Sequence, residues 1–283
     1  MAIQCLAQWF GSNRMMAPRV GELLEGCSWL GVPFAGGMAE LPHIGARTIV
    51  VNDLHRHVIN LARVAREDGL RGQLVRRLRR VLFHPDELKQ AQNYCLEIQP
   101  GNVPDLDCAY HYFVSVWMGR GGKAGIDDEY NGRPSVRWKA DGGDSMVRFQ
   151  SAIRGLGTFA KTARRCTFET WDAFDFLARC EDIDGHGLYC DPPFPGPGDR
   201  YRFNCGKTQE EQRAWHVRLA DAVGRFTRTR CVMRFHDHAL VRELYPESRW
   251  VWHRMTGRTQ ANQEAPEVLL VNGRTDDDLF AGL

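Results

Sequence analysis

The chain has 283 residues, 43% of them hydrophobic and 25% charged, with a formal net charge of +2. That length suits one large α/β domain or a core domain carrying an inserted module, and the composition is that of a soluble globular protein. No apolar run approaches the roughly 18 residues that span a bilayer, and MAIQCLAQWFGSN lacks the basic and then apolar segments of a secretory leader. The expected location is therefore the cytoplasm, with no membrane partner.

The first strand signal is WLGVPFAGG (29–37), an apolar run entering a glycine turn. ARTIVVND (46–53) is a β-branched run ending in Asp53, and HVINLARVAREDG carries the apolar spacing of an amphipathic helix stopped by Gly69. Strand, turn, strand and helix open a doubly wound α/β fold. Residues 71 to about 165 break that rhythm. QLVRRLRRVLF predicts a basic helix ended near Pro85, DELKQAQNYCLEI a second helix, and the glycine-rich 119–143 loops and short hairpins. Alternation then resumes. FETWDAFDFLARC predicts a helix and HGLYCD a buried strand. TQEEQRAWHVRLADAVGRF predicts a helix with a Thr208–Glu211 capping box. RCVMRF, RWVWHRM and PEVLLVN predict three further strands, with the helix HALVRELY after the first. The chain thus divides into a discontinuous α/β domain, 1–70 with 171–283, and an insertion, 71–170.

Charge sharpens the division. From Arg71 to Arg165 there are 16 Lys/Arg against 10 Asp/Glu, a balance of +6, so the remainder carries 2 − 6 = −4. A basic insertion in a mildly acidic frame suits a polyanion as readily as it suits solvated helix faces. The nine cysteines (5, 27, 95, 108, 166, 180, 190, 205 and 231) contain no C-x-x-C pair, which predicts reduced thiols rather than a disulfide framework or a zinc site. His236-Asp237-His238 reads as a polar turn after CVMRF, not as a metal site, because no further ligand stands at a typical spacing.

The stretch GLYCDPPFPG (187–196) carries the chemistry. In an open α/β sheet, ligands bind at the carboxyl ends of strands. Asp191 at such an end can accept a hydrogen bond from a substrate N–H. Pro192 and Pro193 stiffen the turn and leave their carbonyls as acceptors. Asp191 and the Pro192 carbonyl together can hold both hydrogens of one aromatic amine while Phe194 stacks on its ring. Drawing those hydrogens out of plane localises the nitrogen lone pair for direct attack on an electrophilic methyl group. Cys190 is not needed as a nucleophile. Phe34-Ala35-Gly36-Gly37 allows close approach of a ligand, and Asp53 lies 17 residues after Gly36, near the offset of a ribose-binding acid. Without a G-x-G-x-x-G, S-adenosylmethionine suits this pattern better than a dinucleotide.

In order, WFGSNR, VPFAGGMAEL, VVNDLHRHVINLARV, YCDPPF, FHDHALVRELY and PEVLLVN resemble the Dam-type (D12 class) DNA N6-adenine methyltransferases over about 1–66 and 171–273. The resemblance implies a Rossmann-like S-adenosylmethionine-dependent methyltransferase sheet with an inserted, mostly helical and loop target-recognition domain. It implies that Trp9, Asn13, Phe34, Ala35, Gly36, Asp53 and Asp191 line the methyl-donor site. It assigns the flipped adenine to Asp191, Pro192, Pro193 and Phe194. The partner would be double-stranded DNA, with room for a cognate restriction endonuclease, and no metal would take part. The chain has Asn13 where the family usually has lysine, Val32 where it usually has glutamate, and Phe194 where tyrosine is common. A base inside a duplex must be flipped out to reach such a pocket. Arg120, Lys123, Arg133, Arg137 and Lys139, in or beside glycine-rich loops, are the candidate DNA contacts. Arg76, Arg77, Arg79 and Arg80 are candidate phosphate contacts, and 195–206 is a candidate lid. The competing readings are an N4-cytosine DNA methyltransferase, a catalytically impaired methyltransferase-like DNA-binding protein, and a nicotinamide dehydrogenase, which lacks its glycine fingerprint.

Overall fold

The computed structural model describes residues 5–134, 145–258 and 264–273. In chain order the elements are α1 (Ala17–Leu23), β1 (Trp29–Val32), β2 (Thr48–Asn52), α2 (Arg56–Arg66), α3 (Asp68–Leu78), α4 (Pro85–Glu97), α5 (Leu106–Met118), α6 (Ser145–Ala163), β3 (Cys166–Glu169), α7 (Ala173–Arg179), β4 (His186–Cys190), α8 (Gln209–Gly224), β5 (Arg230–His236), α9 (Ala239–Leu244), β6 (Trp250–Arg258) and β7 (Glu264–Asn272). The strands form a mixed, mostly parallel sheet in the order β3-β2-β1-β4-β5-β7-β6, compatible with a Rossmann-like α/β fold. The chain separates into two compact units. One comprises 1–14, 36–42 and 53–170; the other comprises 15–35, 43–52 and 171–283.

In the second unit β1 runs parallel to both β2 and β4, β4 runs parallel to β5, and β7 lies antiparallel between β5 and β6. Chain order reverses between β1 and β4, the crevice where open α/β sheets take ligands. Every second residue of β4 and β5 (Leu188 and Cys190; Cys231, Met233 and Phe235) joins a core with Phe176 and Leu177 of α7 and Leu219 and Val223 of α8. The capping box of α8 forms as the sequence predicts, with the Thr208 hydroxyl accepting from the Glu211 N–H and the Glu211 carboxylate accepting from the Thr208 N–H.

The first unit is mainly helical. α2 is buried from His57 to Ala65 except at Arg63, and it packs against α5 and α6. Four expectations need correction here. α2 ends at Arg66 because Glu67 is extended, and Gly69 lies in the first turn of α3. Asp68 favours a helix start there by complementing the helix dipole. The basic helix stops at Leu78, and Pro85 starts α4 rather than ending α3, because proline is accommodated at the first helical position. FETWDAFDFLARC is not helical from its start: Cys166–Glu169 is a strand, and α7 begins only after Asp172, whose carboxylate caps the Phe174 N–H. The fourth is a pair of omissions, α5 and the 19-residue α6, for which the sequence carried no helix expectation. All nine cysteines are free and buried.

Candidate active site

The second unit holds the group built around Asp191. Cys190 pairs in register with Met233, so one residue further on Asp191 comes alongside Arg234. The Arg234 Nη1 donates to Asp191 Oδ2 at 3.0 Å and to Oδ1 at 3.2 Å, and the Tyr189 hydroxyl donates to Oδ2 at 3.4 Å. On its other side Arg234 donates through Nε and Nη2 to Glu267 Oε2, each at 2.8 Å. A guanidinium is therefore fixed between two carboxylates at the carboxyl ends of β4 and β5. Arg234 and Glu267 are buried, while Asp191 keeps 18% of its side chain exposed. Burial pushes the Asp191 carboxyl above its ordinary range, and the Arg234 charge opposes that rise. Burial likewise works against charge on Arg234, but Asp191 and Glu267 outweigh it and hold the guanidinium protonated.

Phe194 is 8% exposed, packed edge-to-face with His236 at 4.6 Å and tilted against Phe235, with the Arg234 guanidinium 5.2 Å from its ring centre. Phe34, half-buried, leans on Trp215 at 6.0 Å. The Ala35 N–H donates to the Asn52 carbonyl at 3.0 Å. The Asn52 side chain donates to the carbonyls of Pro33 and Trp171 and accepts from the Trp171 N–H. Asn52 thus laces together the carboxyl ends of β1 and β2, beside the Asp191 turn on β4. Val32 is fully buried in β1.

The segment 195–206 is tied to α8 by Gln212. Its amide accepts from the Gly196 N–H at 2.8 Å and donates to the Gly206 carbonyl at 3.2 Å. The motif His236-Asp237-His238 is spent on structure: Asp237 pairs with Arg242, and His238 caps α9 by accepting from the Leu240 N–H. Cys190 sits in the core with its thiol pushed far up by burial, which denies it nucleophilic character.

The first unit holds Trp9, Asn13, Gly36 and Asp53. Asp53 Oδ2 accepts from the Gly36 N–H and Oδ1 from the His55 N–H, both at 2.8 Å. Each oxygen retains a lone pair. Burial pushes this carboxyl up, and the two backbone donors oppose the rise. Gly36 has φ +47, and a Cβ on it would lie 2.9 Å from Trp9 Nε1; one on Gly125 (φ +86) would lie 2.5 Å from Trp9 Cζ2. Two glycines therefore make room for the indole, which meets His55 edge-on at 5.4 Å. Asn13, buried, donates to Glu40 at 3.2 Å. His55 Nδ1 accepts from the Val58 N–H, so the ring carries its proton on Nε2, which faces Glu129 Oε2 at 2.7 Å.

Among the candidate DNA contacts, exposed Arg120 and Arg133 are drawn together by a hydrogen bond from the Arg120 N–H to the Arg133 carbonyl. Lys123 is paired with Asp128 at 2.9 Å. Arg137 and Lys139 lie outside the described residues. On α3 and just beyond it, Arg77 pairs with Asp107 and covers the Tyr110 ring, whereas Arg76, Arg79 and Arg80 are exposed. Sequence reasoning did not find Arg234, Glu267, Asn52, His55 or Glu129. A lone arginine inside the apolar run CVMRF was the signal available for Arg234. No family model matches the chain, and no curated protein matches it.

Proposed function

We propose that the chain is a site-specific DNA methyltransferase acting on the exocyclic N6 of a flipped-out adenine, with S-adenosylmethionine as donor. The observation that carries the reading is the turn Asp191-Pro192-Pro193-Phe194 at the carboxyl end of β4, beside the point where strand order reverses, with its carboxylate gripped by Arg234. S-adenosylmethionine, when bound, supplies an electrophilic methyl group. The free lone pairs on Asp53 suit its ribose hydroxyls. Asp191 and the Pro192 carbonyl accept the two N6 hydrogens, which localises the nitrogen lone pair. Asp191 then receives the proton that N6 gives up. Arg234 favours the ionised form of Asp191, the form that can do both. The basic insertion would grip phosphates while the base is everted.

The test is methyl transfer from labelled S-adenosylmethionine to unmethylated genomic DNA, followed by digestion to nucleosides. The expected label is in N6-methyladenine, and Asp191→Ala abolishes it. Label in N4-methylcytosine would keep the mechanism and overturn the base. Absence of both transfer and donor binding would leave a DNA-binding protein that has lost catalysis.

A further inference from the structure

The first unit contains a cavity of about 250 Å³ lined by Gln8, Trp9, Ser12, Arg14, Gly121, Gly122 and Arg148. That is below the roughly 300–1,000 Å³ of sites that engulf a whole drug-sized ligand, so it suits one chemical group. Among the described residues two guanidiniums line it and no carboxylate does, which favours an anion. The Ser12 hydroxyl and the Gln8 amide nitrogen are buried there with no hydrogen-bond partner among the described residues. Buried donors of this kind are rare in native proteins, and a ligand that supplies the acceptor is one explanation. The glycines bring the backbone close. A Cβ on Gly121 would stand 1.9 Å from Gln8 Oε1 and 3.5 Å from an Arg148 Nη1, and Gly122 has φ +77.

We infer that this cavity binds an oxyanion, specifically a phosphate group, through Arg14, Arg148, Ser12 and Gln8. Guanidinium forks match phosphate oxygens in pairs, and a hydroxyl and an amide complete a donor set that has more N–H and O–H groups than a single carboxylate needs. Assigning the phosphate to the DNA backbone rests on the proposed function; the anion site itself does not.

The experiment measures affinity for a fluorescein-labelled DNA duplex between about 50 and 200 mM salt, with full-length wild type and the double variant Arg14→Gln/Arg148→Gln. Labelled S-adenosylmethionine binding and the melting temperature are measured in parallel. The expected result is a salt slope flatter by about 1 in the double variant, with donor binding unchanged. Arg14→Lys in place of Arg14→Gln, which keeps the charge, restores most of the slope. An unchanged slope in a folded double variant overturns the proposal. So does an unchanged slope with weakened donor binding, which would give the anion as the donor's carboxylate. If wild type binds no duplex, the DNA reading fails, and inorganic phosphate at matched ionic strength decides the site. Stabilisation of wild type that is lost in the double variant upholds the site, and equal stabilisation of both overturns it.

Discussion

Each unit buries a basic side chain against acids, and the two do so differently. In the first unit the His55 ring faces Glu129, while Asp53 is held by backbone N–H groups. In the second, the permanent charge of Arg234 is shared by Asp191 and Glu267. A carboxylate held by backbone donors depends on no single side chain. One held by a buried guanidinium depends on one residue for both its orientation and its charge. On the proposed function that difference separates an acceptor that only binds from an acid that must be ionised and aimed.

The strongest way to break the comparison is Arg234→Met. It leaves two carboxylates at a buried site without a counter-charge, and removing one partner of a buried pair costs about 3–5 kcal/mol. Chemical denaturation measures this; a loss under about 1 kcal/mol would mean that the network is not closed in solution. Arg234→Lys keeps the charge without the fork, so its loss is smaller and leaves folded protein for kinetics. Arg234 opposes the rise of the Asp191 pKa, so weakening the contact raises it further. The acid limb of the methyl-transfer profile then moves to higher pH, by up to the 1–3 units an adjacent arginine is typically worth. Donor binding at fixed pH stays put. An unmoved acid limb would show that Arg234 does not tune Asp191.

His216 sharpens the comparison as a buried base with no acid partner among the described residues. It is 1% exposed on α8, its Nε2 has no partner among the described residues, and burial lowers its pKa from 6.5 to about 4. A histidine with a lowered folded pKa binds fewer protons folded than unfolded between those values. Stability therefore falls as pH drops from about 6.5 to about 4 and is flat beyond, losing up to about 3 kcal/mol. Denaturant midpoints across that window should drop in wild type and drop less in His216→Phe. Parallel curves for the two proteins would refute the assignment.

The elements legible in the sequence were those whose pattern is local. The β-branched run of β2, the alternating cores of β4 and β5, and the Thr208–Glu211 box of α8 each announce themselves within ten residues or so. α5, LDCAYHYFVSVWM, escaped because it is buried along nearly its whole second half and so shows no single apolar face. β3 is only four residues long and merges with the aromatic start of the next helix. The site divides in the same way. Asp53 and Asp191 stand beside turn signals, Gly36-Gly37 and Pro192-Pro193, that mark them locally. Their supports are remote: Arg234 lies 43 residues from Asp191, Glu267 a further 33, and Glu129 lies 74 from His55. No periodicity spans such distances, and strand pairing or helix packing alone decides which partners meet.

Glu129→Gln is the mildest test, because it keeps an acceptor for the His55 Nε2–H and removes only the charge. A hydrogen bond to a charged group is worth about 1.5–3 kcal/mol and a neutral one about 1, so the expected loss is about 1 kcal/mol near neutral pH. Burial opposes ionisation of Glu129, but neighbouring His55 and the hydrogen bonds to it outweigh burial and hold its carboxyl below 4.5. A lowered carboxylate contributes stability that is present above its unfolded value and lost as pH falls through the folded one. The wild-type advantage over Glu129→Gln should therefore be full above about pH 4.5 and vanish below it, a window lying under the one governed by His216. If the advantage instead persisted in strong acid, the charge on Glu129 would not be what His55 holds, and the first unit would depend on packing alone at that position.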